Sequence, residues 1–71
     1  MKELSYNLRR IRLEKGETQK SLAEKIRLNK QAIAHMEQGF RKPSLDVLEK
    51  IADVLGVKVK EFFQDIPDKH E

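Results

Sequence analysis

The chain has no cysteine, no tryptophan, two prolines, three glycines and only four aromatic residues among 71. Without cysteine a domain this small has neither a disulfide staple nor a thiolate ligand set. His35 and His70 are its only histidines, too few to complete a zinc site. A glycine-rich phosphate loop, a cysteine nucleophile and a carboxylate pair in an apolar setting are all lacking, so an enzyme is not expected. No run approaches the roughly 20 apolar residues of a membrane span. Met1-Lys2-Glu3-Leu4 offers no apolar signal core, so a cytoplasmic location without membrane attachment is expected. At this length there is room for one domain with a thin core. Residues 1–66 are expected to form it and 67–71 a flexible tail.

What is present is charge and a helical apolar pattern. Apolar and charged residues each make up 38%, enough of the former to fold and enough of the latter to coat a small helical domain. The net charge of +3 is unevenly spread: residues 1–15 hold five Lys/Arg against two acids, whereas residues 57–71 hold three against four. Basic charge gathered in the N-terminal half hints at a polyanionic partner.

The few breakers fall where helices should stop. Leu4, Leu8 and Ile11 recur at helical spacing and predict a first helix over residues 2–15, closed by Gly16. Thr18 is a good N-cap for a second over 19–26, with Leu22, Ala23 and Ile26 inward, and Asn29 for a third over 30–38, with Ile33 and Met36 inward and Gly39 as its stop. Pro43 and Ser44 open a fourth, with Leu45, Leu48, Ile51, Ala52 and Leu55 as its core residues and Gly56 as its end. Val59, Phe62 and Phe63 fall in a short fifth over 58–64. The fold class is all-α, and helices this short must hold one another in a compact bundle.

The second and third helices, separated by two or three residues, carry the chemistry. Ala23 is small enough to let the third helix cross the second at a steep angle, as a helix-turn-helix requires. Steps of 100° place Ile33, Met36 and Glu37 on one side of the third helix and Lys30, Gln31, Ala34, His35 and Gln38 on the other. Amide side chains can bond adenine edges in pairs, lysine can donate to guanine, and alanine can meet a thymine methyl, so this face suits a DNA major groove. Taken alone, such a face is more often simply solvated. His70 is the only other histidine and there is no cysteine to complete a metal set, so no metal or catalytic role is expected of His35. Phe62, Phe63 and Ile66 are more than so short a fifth helix needs. Either at least one stays exposed as a dimer interface, or all three cap the core.

Several features coincide: Arg12 four residues before Gly16, Thr18-Gln19, Leu22-Ala23, Ile33, Glu37 followed by Gly39, Arg41-Lys42-Pro43-Ser44, and Leu55-Gly56-Val57. With them the chain resembles, from about Leu4 to Phe63, the helix-turn-helix family of the phage repressor and Cro proteins, also called the xenobiotic-response-element type. The resemblance implies a compact five-helix bundle, with its helix-turn-helix made by helices 2 and 3. It further implies a repressor-like transcription regulator that binds a palindromic double-stranded DNA operator as a homodimer, with no cofactor. By the same resemblance Lys30, Gln31, Ala34 and His35 read bases. Gln19, at a helix start suited to phosphate, touches the DNA backbone, while Asn29 caps the third helix and meets phosphate as well. Arg41 and Lys42, together with Arg9 and Arg10, are phosphate contacts or plain solubilising charge. Arg12 and Glu37 are implied to form a partly buried ion pair that locks the recognition helix. Arg27 departs from the family, which usually has glycine at that turn position. An alternative role is an antitoxin-like interaction module with a partner protein, for which DNA binding is secondary.

Overall fold

The first apolar stripe, Leu4, Leu8 and Ile11, forms one face of helix α1 (Lys2–Glu14) in the computed structural model, which describes residues 2–65. All three side chains are buried. The helix unwinds through hydrogen bonds from Lys15 N to Ile11 O (3.0 Å) and from Glu17 N to Arg12 O (3.1 Å). Thr18 then caps α2 (Gln19–Lys25): its hydroxyl accepts from Ser21 N, and the Ser21 hydroxyl accepts from Thr18 N, both at 2.9 Å. This reciprocal pair satisfies two of the donors that a helix start leaves open.

Between α2 and α3 (Lys30–Gln38) the chain reverses through Arg27, whose φ of 63° lies in the left-handed region, and Leu28 N closes the turn on Ala23 O at 2.9 Å. A non-glycine residue held there costs about 1 kcal/mol. The usual turn is therefore kept without its usual glycine. Asn29 Oδ1 accepts from Ala32 N at 2.8 Å and so starts α3. Leu22 and Ala23, each 1% exposed, bury the inner face of α2, and Ala32, Ile33 and Met36 that of α3. At the other end Gly39 takes φ 83°, and a glycine is demanded there by that left-handed backbone rather than by crowding.

Helix α4 (Leu45–Leu55) is capped by Ser44, whose hydroxyl accepts from Val47 N, and buries Leu48, Ile51, Ala52 and Leu55. Leu45, expected in the core, is instead 63% exposed. It has the right period but stands at the first helical position, where no neighbouring element covers it. The fifth helix is also corrected: among the described residues there are four α-helices, and Val59–Phe63 is a single turn of 3-10 helix. Asn7 on α1 explains why that turn stays short. Its Nδ2 donates to Phe62 O at 3.0 Å and to Gln64 O at 2.8 Å, drawing the chain away from further helical bonding. Asn7 and Phe62 are both wholly buried. Phe62 thus completes the core against α1 and has no surface left for the dimer interface assigned to it, whereas Phe63 remains 46% exposed. Ile66 and the tail 67–71 lie outside the described residues. The radius of gyration, 11.3 Å, is close to the roughly 11 Å of a tightly closed chain of this length. No described helix is long and apolar enough to cross a membrane.

Candidate nucleic-acid interface

Three elements are locked to one another around a single carboxylate. Arg12, in the last turn of α1, donates from Nε to Glu37 Oε2 (2.6 Å) and from Nη2 to Glu37 Oε1 (3.0 Å), while its Nη1 donates to Glu17 O (2.9 Å). Gln19, the first residue of α2, adds a bond from Nε2 to Glu37 Oε1 at 3.1 Å. The Arg12 and Glu37 side chains are only 7% and 3% exposed, so this is a desolvated, bidentate pair with its remaining polar atoms satisfied by Glu17 and Gln19. Glu37 is the single acid of α3. Turned inward and neutralised, it leaves the opposite face of that helix free of negative charge.

That opposite face presents Lys30, Gln31, His35 and Gln38 to solvent, with Ala34 half-buried between them. Below it lies an open cleft whose walls include Arg9, Leu13, Gln19, Lys20 and Lys30. Arg9, Gln19 and Lys30, assigned separately from sequence, are thus brought to one place, and Lys20 joins them unforeseen. Gln19 spends one amide hydrogen on Glu37 and keeps the other. Asn29 uses its side-chain oxygen as a cap. Arg10 is the most engaged of the expected phosphate contacts: Nη1 donates to Glu14 Oε2 (2.9 Å) and Nη2 to Asn7 Oδ1 (3.2 Å), and Nε is buried without a partner among the described residues. Arg41 and Lys42 are exposed in the loop between α3 and α4, away from the walls of the cleft.

Glu17 borders the cleft without adding a free charge to it. Its carboxylate accepts from Lys25 Nζ and from the Ser21 hydroxyl, and these bonds, the lysine's first, hold its pKa below the ordinary carboxylate value. Two contributors were not foreseen. Asn7 had a visible signal, since it falls at the i+3 position of the buried stripe Leu4, Leu8, Ile11. Phe40 is 79% exposed beside the recognition face, with its ring centroid 6.3 Å from that of His35.

Known proteins are similar to this chain in sequence and in fold. A helix-turn-helix family model matches residues 8–62. The HTH-type transcriptional regulator YqaF of Bacillus subtilis is 39% identical over 59 residues, which span 83% of this chain and 78% of YqaF. Among solved structures, the restriction-modification controller protein C.AhdI from Aeromonas hydrophila superposes with a TM-score of 0.80 at 32% identity, over 84% of this chain and 87% of that one. The controller protein C.Esp1396I, solved as a tetramer on its natural 35 base-pair operator, superposes with a TM-score of 0.71 at 33% identity, over 87% and 92% of the two chains. The chain belongs to the Cro/C1-type helix-turn-helix family, whose members are DNA-binding transcription regulators and not enzymes.

Proposed function

We propose that this protein is a sequence-specific repressor that binds a palindromic operator as a symmetric homodimer, each subunit laying α3 in a major groove. The observation that carries this reading is the acid-free outer face of α3, left so because Glu37 is folded inward onto Arg12. Gln31 bonds adenine N6 and N7 in pairs, Lys30 donates to guanine, Ala34 meets a thymine methyl, and His35 reads a further base edge. Arg9, Gln19 and Asn29 meet phosphates on one side of the recognition helix, and Arg41 and Lys42 on the other. They set its register without reading sequence. Arg10 contributes less, being already bonded to Glu14 and Asn7. The half-exposed Phe63 joins the two subunits and sets their recognition helices roughly 34 Å apart, one turn of duplex. Binding needs no cofactor, and the cytoplasm is the compartment in which such a regulator works. The likeness to a controller protein solved on its operator supports the reading.

Selection of bound duplexes from a random pool at about 0.15 M salt, a concentration at which electrostatic binding is already much reduced, tests the whole proposal. A palindromic motif with half-sites about 10 base pairs apart is expected. A folded protein that enriches no sequence refutes it and transfers the role to a protein partner.

A further inference from the structure

Phe40 has no place in the core and no obvious place on a soluble surface. It is 79% exposed, the most exposed of the large apolar residues among those described, and it stands between the stop of the recognition helix and the basic pair Arg41-Lys42. The backbone explains how it gets there. Gly39 turns left-handed, and Phe40 N and Arg41 N then both donate to His35 O, at 2.9 and 3.2 Å. The chain is thereby folded back over the last turn of α3. This brings the Phe40 ring to the His35 imidazole, with centroids 6.3 Å apart and planes tilted by 54°. That separation and tilt fall within the range of attractive aromatic pairs.

We infer that Phe40 is a positioning residue for base recognition: its ring holds the His35 imidazole in one orientation on the α3 face. The inference rests on the assignment of His35 to base reading. An exposed imidazole on a helix otherwise samples several rotamers, and fixing it on DNA costs conformational entropy. The ring pair removes that freedom before binding. Because Arg41 and Lys42 follow directly, their grip on phosphate also steadies the loop that carries the ring, linking backbone contact to base readout.

The test is a double-mutant cycle with the full chain on the selected operator and on duplexes changed at each base pair. Phe40→Leu keeps the apolar bulk and removes the ring, and since Phe40 is exposed the variant should melt like the wild type. It should lose about two- to twelvefold discrimination, the equivalent of one aromatic pair. The loss should fall at the same base pair as that of His35→Ala, and Phe40→Leu should change nothing further in the His35→Ala background. Affinity for unrelated duplex should not move. In the free protein the His35 ring-proton NMR resonances should shift in Phe40→Leu, and unchanged resonances overturn the proposal. It is equally overturned if Phe40→Leu leaves discrimination intact, or weakens every duplex alike in both backgrounds, which would make Phe40 itself a backbone contact. If His35→Ala leaves base preference untouched, the reading of His35 fails and the proposal with it. That outcome differs from a failure of Phe40 alone, in which His35→Ala still shifts the preference.

Discussion

Arg12→Met should be among the most destabilising single substitutions in this protein, and its cost can be worked from the geometry. Glu37 is 3% exposed and accepts two bonds from Arg12 and one from Gln19. Removing the guanidinium leaves a buried carboxylate with one neutral donor, which costs about 3–5 kcal/mol. A 71-residue domain has about 4–11 kcal/mol in total. The melting temperature should therefore fall by tens of degrees, at about 4–8 °C per kcal/mol for this size. Replacing both partners, Arg12→Met with Glu37→Leu, removes both charges and should recover all but about 1 kcal/mol, because apolar groups of similar volume replace a buried pair at little net loss. Urea unfolding followed by circular dichroism, at one fixed protein concentration, measures all variants; the cost of Arg12→Met less that of the double variant gives a coupling energy of at least about 2–4 kcal/mol, to which the cost of Glu37→Leu alone adds. A loss below about 1 kcal/mol for Arg12→Met would place the pair with ordinary surface ion pairs and refute the reasoning. So would a double variant no better than the sum of the two singles.

Arg27→Gly should raise stability by up to about 1 kcal/mol, read as a higher melting temperature, because glycine takes the left-handed turn at φ 63° without strain. An unchanged melting temperature would mean that the arginine side chain repays that strain. Lys25→Met removes the main cause of the lowered Glu17 pKa, so an NMR titration should find that carboxyl nearer its ordinary value. Since the folded pKa is depressed, Glu17 stabilises the fold above the ordinary carboxylate range and loses that contribution as pH falls through the lowered value. Acidification should accordingly weaken the wild type more than Lys25→Met. On DNA, four to six phosphates neutralised per subunit give a log–log salt slope of about −7 to −11 for a dimer. Gln31→Ala should relax preference at one base pair by about 1–3 kcal/mol, whereas Arg41→Ala should weaken all sequences alike and flatten the slope, both read by titration across salt concentrations. A slope near zero would count against phosphate contact altogether.

The sequence by itself determined the four α-helices and, to within a residue, their ends, because those are local matters. Thr18, Asn29 and Ser44 each accept a bond from the backbone three residues on, and Gly39 and Gly56 end helices in left-handed conformation. The outward face of α3 was legible for the same reason, since a period of 3.6 sorts Lys30, Gln31 and His35 from Ile33 and Met36. Periodicity says which side of a helix turns inward, not how far its neighbours extend to cover it. Leu45 therefore matched the pattern and is exposed, and Phe62 was assigned to an interface yet fills the core. The 3-10 turn depends on the Asn7 amide, 55 residues before Phe62, and no local signal at Val59–Phe63 records it. The Arg12–Glu37 pair spans 25 residues and was implied by resemblance, but its burial and the bond from Gln19 exist only once α1, α2 and α3 have closed around it. Only tertiary structure decided those points, because burial and long-range hydrogen bonding are properties of how elements meet, and the sequence of any one element does not contain its neighbours.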